Sequence, residues 1–315
     1  MDKPESYPAR LPVPAQYRDP SIQWDEYSTA ISSPRYNYTA DEVKACPVWA
    51  DDVTKVNDAE IWDRKSYFNA DHGSMRTLRE ALLGNVGDYT LPNQLPQNPW
   101  RRTGLVGRGL LGKFGPNHAA DPIVVRFNPT IMQLEFVAVK RCDTGQWAIP
   151  GGMVDAGESV THTLRREFHE EAGSSNTEEL LTKVFAKSYL VYAGYANDFR
   201  DTDNAWIETS CHIFFPQDNC TKQLTLKPQQ GENTAASWIS LSDIDTIDFF
   251  AGHKRYLAKA KDIAQHIMTA ALSRKFIETM AVSTALMNGG TPPQSDDKKR
   301  KREDERGESE VSYIG

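Results

Sequence analysis

"PGGMVDAGESVTHTLRREFHEEAG", from Pro150 to Gly173, is the stretch on which the fold turns. Two glycines open it, and Glu167, Glu170 and Glu171 crowd into five residues near its end. No proline interrupts Ser159 to Ala172, and Ala, Leu, Arg and Glu favour a helix there. At about 100° per residue, Val160, Leu164 and Phe168 form one apolar arc. Glu167 and Glu171, four apart, neighbour each other and fall within roughly 20° of Val160 and Leu164. Glu170 lies beside them, while His162, Arg165 and His169 point the other way. The carboxylates are therefore expected to face inward, the reverse of a solvated charge run.

Like charges four apart on a helix cost a few tenths of a kcal/mol even when exposed. Near a core they cost more, because desolvation and mutual repulsion both oppose ionisation. Arg166 has one expected partner, Glu158, through which it would hold the preceding loop. It does not neutralise the remaining glutamates. A divalent cation would, and hard oxygen ligands suit Mg²⁺, with Mn²⁺ as the alternative. A purely structural ion-pair network is the competing reading. Gly151 and Gly152 allow the backbone to approach a ligand closely, Gly157 permits the turn into the helix, and the helix N-terminus favours an anion.

Outward from this stretch the pattern alternates between strand and helix. "PIVVRF", "LEFVAVKR" and "WAIP" precede it as strands. "KVFAKSYLVYAG", "NAWIETSCHIFFP" and "AASWISL" follow as strands, and His253 to about Met287 reads as a helix. No regular βαβ repeat appears, so a mixed sheet with helices on both faces is expected. "TGLVGRGLLGKFGPNHAADP", from Thr103, is rich in glycine and reads as turns; its Gly107-Arg108-Gly109 lacks the spacing of a dinucleotide fingerprint. Residues 1–103 form a small irregular domain anchored by aromatics, among them Trp24, Tyr27, Tyr36, Tyr38, Trp49, Trp62, Tyr67 and Phe68. A second unit spans 104–288, and 289–315 is a charged, disordered tail.

The chain has 315 residues and a net charge of −7, which argues against nucleic acid or anionic membrane as a general partner. No apolar run reaches the length of a membrane span, and the N-terminus lacks the layout of a signal peptide. Cys46, Cys142, Cys211 and Cys220 form no CxxC pair and are expected as free thiols in a reducing compartment. A cytoplasmic monomer is expected. The basic run Lys298 to Arg302 reads either as a nuclear import signal or as part of a solvated tail whose flanking acids cancel its charge.

The opening stretch resembles the Nudix hydrolase signature, G-x5-E-x7-R-E-x2-E-E-x-G. Gly152, Glu158, Arg166, Glu167, Glu170, Glu171 and Gly173 fill its fixed positions; Ser174 stands where the family usually carries a bulky apolar residue. Elsewhere "SYP", "VWAD", "RTGLVGRGLLGKFGPNHAADP", "WAIPGGMVD" and "TDNAWIET" resemble the family's ADP-ribose pyrophosphatases, the branch related to the nucleotide-sensing domain of melastatin-type cation channels. The resemblance covers most of residues 6 to about 260. It implies an α+β fold, the Nudix α/β/α sandwich with a mixed sheet. It also implies Mg²⁺-dependent hydrolysis of ADP-ribose to AMP and ribose 5-phosphate.

By that resemblance Glu158, Arg166, Glu167, Glu170 and Glu171 serve catalysis. Glu167, Glu170, Glu171 and the Gly151 carbonyl hold the metal. Asp198, Arg200, Phe250 and His253 fall where the resemblance places nucleotide contacts, and Asn117 and His118, polar and expected on a loop, are further candidates to read the substrate. One of the glutamates, or Glu232 from a later loop, would deprotonate water. Arg200 also reads as a surface arginine, His253 as a helix cap, and Trp206 and Phe250 either as adenine platforms or as core. Two other functions stay open: hydrolysis of another nucleoside diphosphate derivative such as NADH or a nucleotide sugar, and sensing of ADP-ribose without cleavage.

Overall fold

The computed structural model describes residues 7–51, 95–155, 158–216 and 220–287. Trp62, Tyr67, Phe68, Gly157 and the Lys298 to Arg302 run lie outside the described residues. Met1–Ala264 forms one compact unit; a second begins at Gln265 and is described only as the continuation of the last helix.

The fold is mixed α+β, built around one long strand. Strands β1 (Asn37–Thr39) and β2 (Val106–Gly109) form a small parallel pair. Strand β3 (Gly115–Asn128) carries the β-branched run Ile123, Val124 and Val125, all fully buried. Its two ends have different partners. Residues 115–124 run parallel to β8 (Ala205–Phe214), and residues 125–128 run antiparallel to β4 (Gln133–Arg141). The sheet continues from β4 to β5 (Trp147–Ala148) and β9 (Asn233–Ser240), from β3 to β6 (Gly152–Met153), and from β8 to β7 (Ser188–Tyr195). Mixed pairing of this kind needs a crossover, because parallel neighbours cannot be joined by a tight turn.

Two short helices, α1 (Asp25–Ile31) and α2 (Asp41–Lys44), belong to the N-terminal region. Tyr27, Ile31 and Tyr36 are buried there, and Trp24 stacks between Tyr17 and Tyr27. Trp49 is half exposed and anchors less than its size led one to expect. The fully buried Arg108 donates to the Asp51, Gly112 and Val43 carbonyls, so the glycine-rich stretch "VGRG" is a strand welded to the N-terminal region.

Helix α3 (Val160–Glu171) is capped as its sequence requires, with the Ser159 hydroxyl accepting from the His162 amide. Val160, Leu164 and Phe168 pack with Ala120, Val124, Val137 and Val139 in the main core. The Thr177 hydroxyl caps a further helix, α4 (Glu178–Val184), by accepting from the Leu180 amide. This corrects the reading of "KVFAK" as the start of a strand: Lys183 and Val184 close α4, and the strand begins at Ser188. Helix α5 runs from His253 to Met287. All four cysteines are free. Among the described residues no helix is long and apolar enough to cross a membrane.

Candidate active site

The packing of α3 decides where its acids go. With Leu164 and Phe168 in the core, Glu167 and Glu171 turn inward and each is 8% exposed, whereas Glu170, one residue off the arc, is exposed. Opposite them runs the glycine strap. A Cβ on Gly152 would sit 2.5 Å from Glu167 Oε1, and one on Gly151 would sit 2.4 Å from Asp121 Oδ1. At Gly151 a side chain would also meet the Ala120 backbone carbonyl, which cannot give way, whereas at Gly152 it would have to displace only the Glu167 carboxylate. The Gly151 amide also donates to Glu171 Oε2 at 3.1 Å.

Arg166 does more than the single pairing expected of it. Its Nε and Nη2 donate to the two oxygens of Glu158 at 2.9 and 3.0 Å, a bidentate grip. Its Nη1 lies 2.8 Å from Glu167 Oε1 and 3.1 Å from Glu170 Oε2, and Nη2 also donates to the Met153 carbonyl. His162 is exposed, as expected, yet its Nδ1 reaches Glu158 Oε1 at 2.6 Å. Arg165 and His169 are half-buried, and Arg165 pairs with Glu178 rather than standing free in water.

These contacts split the carboxylates. Burial pushes Glu158 upward, but the bonds from Arg166, Thr163 and His162 outweigh it and bring its pKa to about 2. Burial pushes Glu167 up to about 7, because Arg166 only partly offsets it and Glu170 adds repulsion. Burial pushes Glu171 up to about 8 against the opposing Gly151 amide. Among the described residues no three acidic, His or Cys side chains converge as a ready metal-ligand set; Arg166 stands between Glu167 and Glu170. The donors still fit a hard divalent cation: they are carboxylate oxygens, and two of them are buried with no full counter-charge.

A stability consequence follows with a definite sign. The folded pKa values of Glu167 and Glu171 lie above the ordinary value of about 4.3, so the folded state binds the extra protons. Their contribution is most favourable below that value and is lost as pH rises through about 7 and 8. Asp201, which burial and the Asp198 charge push to about 7, acts in the same direction. In chelator, the melting temperature should fall by about 5 °C between pH 6.5 and 8.5, a window above the titration of the buried His253. Glu171→Gln should reduce that fall by roughly half. A flat thermal-unfolding profile would count against the burial of these acids.

One pocket joins this end of the molecule to the turn between β7 and β8. Glu171, Gly151 and Gly152 of the signature stretch line it together with Arg141, Asp198, Arg200, Phe250 and His253, whereas Glu167 and Glu170 do not. Arg200 is no free surface arginine: its Nε and Nη2 donate to both oxygens of Asp198 at 2.8 and 2.9 Å. Burial raises Asp198, but the Arg200 charge and hydrogen bonds outweigh it and hold the carboxyl below its usual range. Arg141 lies 4.3 Å over the Phe250 ring. His253 opens α5 and accepts the Ile149 amide at Nδ1, 2.9 Å away. Burial and the Arg141 charge depress it to about 4, so it is neutral at pH 7.

Other candidates are not brought to this pocket. Asn117 and His118 lie on β3, paired with Ile207 and Glu208 of β8, and not on a loop; neither lines the pocket. The Asn117 side chain instead holds the Lys113 amide and carbonyl, closing the turn before the strand. Trp206 is fully buried with its indole N–H on Glu208, so it offers no face to a base. Glu232 is exposed and outside the lining.

The structure adds residues that the sequence reading passed over. Asp121, Thr209, Arg141 and Tyr256 all line the pocket. Asp121 carried a signal, since a carboxylate inside the apolar strand "HAADPIVV" needs a partner or a use. The N-terminal segment braces the turn: Tyr7 Oη donates to the Arg200 carbonyl at 3.0 Å, and Arg10 Nη2 donates to the carbonyls of Phe199 and Asp201 at 2.6 and 2.7 Å.

Comparison with known proteins bears on this arrangement. Residues 117–260 match the NUDIX domain, and residues 13–115 match the NUDT9-like, N-terminal domain. The chain is 37% identical over 278 residues to the mitochondrial ADP-ribose pyrophosphatase of Rattus norvegicus, an alignment covering 81% of this chain and 74% of that protein. It is 38% identical over 284 residues to the transient receptor potential cation channel subfamily M member-like 2 of Nematostella vectensis, covering 82% of this chain and 17% of the channel.

Proposed function

This chain belongs to the Nudix hydrolase family, and from that premise we propose that it hydrolyses the pyrophosphate of ADP-ribose to AMP and ribose 5-phosphate. The observation that supports this most is one pocket lined both by the Glu171 carboxylate of the signature helix and by the fixed Arg200 guanidinium and the Phe250 ring. A linear pyrophosphate with a sugar on each side matches that layout.

Glu167, Glu170, Glu171 and the Gly151 carbonyl would hold Mg²⁺, with Mn²⁺ as the alternative. Bound there, the cation supplies charge neutralisation at the pyrophosphate oxygens and acidifies a water for attack at phosphorus. The chain's own residues do the positioning. The Gly151 amide fixes Glu171, while Arg166 ties the strap at Met153 to Glu158 and keeps the helix in register with it. Asp198 holds the Arg200 guanidinium in one orientation, so a phosphate or ribose oxygen meets a preset donor. Phe250, with Arg141 over its ring, closes the pocket wall.

The test is a panel. The full chain with Mg²⁺ is given ADP-ribose, NADH, ADP-glucose and an oxidised nucleoside triphosphate, and products are resolved by chromatography. AMP and ribose 5-phosphate should form from ADP-ribose with kcat/KM at least about tenfold above the others. Preference for any other member, or binding of ADP-ribose without cleavage, would overturn the assignment.

A further inference from the structure

Asp121 lies outside the signature stretch and is 7% exposed. It sits on β3 beside Cys211, and its Oδ2 accepts from Thr209 Oγ1 at 2.5 Å. Its Oδ1 faces the glycine strap, where it excludes any Cβ from Gly151, and lies 4.0 Å from His253 Nε2. Since Nδ1 of His253 accepts the Ile149 amide, the ring proton sits on Nε2. A buried acceptor and a buried donor therefore point into the pocket at one another, too far apart to bond directly.

We propose that Asp121 Oδ1 and His253 Nε2 together read one ribose hydroxyl of the substrate, the hydroxyl accepting from Nε2–H and donating to Oδ1. An oxygen about 2.8 Å from each subtends an angle of about 90°, close to that between the O–H and a lone pair of an alcohol. The chemistry is selective. A phosphate oxygen accepts from the imidazole but is repelled by the carboxylate. An exocyclic amine donates to the carboxylate but leaves the imidazole N–H unmet. In a nucleoside diphosphate sugar, a single atom with both functions is a sugar hydroxyl. Thr209 keeps the second carboxylate oxygen occupied, so the side chain cannot rotate away, and the Ile149 amide does the same for the ring. This inference rests on the assignment of ADP-ribose as substrate.

The experiment compares ADP-ribose with four analogues that each lack one secondary ribose hydroxyl, in the wild type and in Asp121→Ala. Wild type should lose about a hundredfold or more in kcat/KM on one of the four, because the missing hydroxyl leaves two buried polar groups unmet. Asp121→Ala should lose about tenfold on ADP-ribose and discriminate against that analogue about tenfold less than wild type does, because His253 still donates to the hydroxyl. If Asp121→Ala does not fold, His253→Ala decides the matter, since it removes the donor to the same hydroxyl. Wild type that turns over all five substrates equally overturns the inference, as does an Asp121→Ala loss that is uniform across them. If wild type fails to cleave ADP-ribose at all, the functional assignment and the inference fall together. Normal cleavage without hydroxyl discrimination removes the inference alone.

Discussion

Glu170→Gln combined with Glu171→Gln should leave a folded protein that cleaves ADP-ribose at least about a thousandfold more slowly. The substitution removes, at nearly constant shape, two carboxylates that would meet the metal, so the defect lies in chemistry and not in packing. The two positions are unequal. Glu171 is buried with its proton held above neutrality, and glutamine there relieves desolvation; chelator-treated Glu171→Gln should melt higher than wild type near pH 8. Glu170 is exposed and meets Arg166 at the surface, a pair worth well under about 1 kcal/mol, so Glu170→Gln alone should barely move the melting temperature. Turnover of the double variant near the wild-type rate would remove these glutamates from the reaction.

The second large effect is expected at Arg166. Its side chain is 24% exposed, but the side chains of Glu158 and Glu167, which it contacts, are only 8% and 11% exposed. Arg166→Ala therefore strands two carboxylates and frees the Met153 carbonyl of the strap. Breaking a fully buried pair costs about 3–5 kcal/mol, and solvent reaching the guanidinium lowers the expectation to about 2–3 kcal/mol. That is about 5–10 °C in melting temperature for a unit of this size. Arg166→Lys should keep the charge and lose the bidentate grip on Glu158, giving an intermediate loss. The mechanism is checked by adding Glu158→Gln to Arg166→Ala. With Glu158 neutralised and only Glu167 of the two left without its partner, the double variant should recover at least about half of the lost stability. Simple additivity of the two losses would show that Arg166 stabilises through packing and not through charge.

The sequence by itself determined the family and the class of fold. It also determined that Glu167 and Glu171 face inward, but Glu170, expected inward beside them, is exposed because it lies one residue off the arc. Helical period and capping are local: Val160, Leu164 and Phe168 fix the arc, Ser159 fixes the start, and Glu167 and Glu171 are carried inward with the arc. The main strands were legible for the same reason, as β-branched runs. Local reading failed where a segment's state depended on distant partners. Asn117 and His118 follow a glycine and a proline and look like a turn, yet β8, about ninety residues later, draws them into a strand. Helix α4 is seven residues long, too short for its period to stand out from the strand that follows. The resemblance named Asp198, Arg200, Phe250 and His253 beyond the signature, but how they are brought together was decided by tertiary structure. His253 meets the Ile149 amide across 104 positions, and Thr209 meets Asp121 across 88. Arg200 is turned toward Asp198 while a segment some 190 residues earlier braces its backbone. Side-chain periodicity says which face a residue occupies. It does not say which strand will lie beside that face, because register is set by the packing of all the strands together.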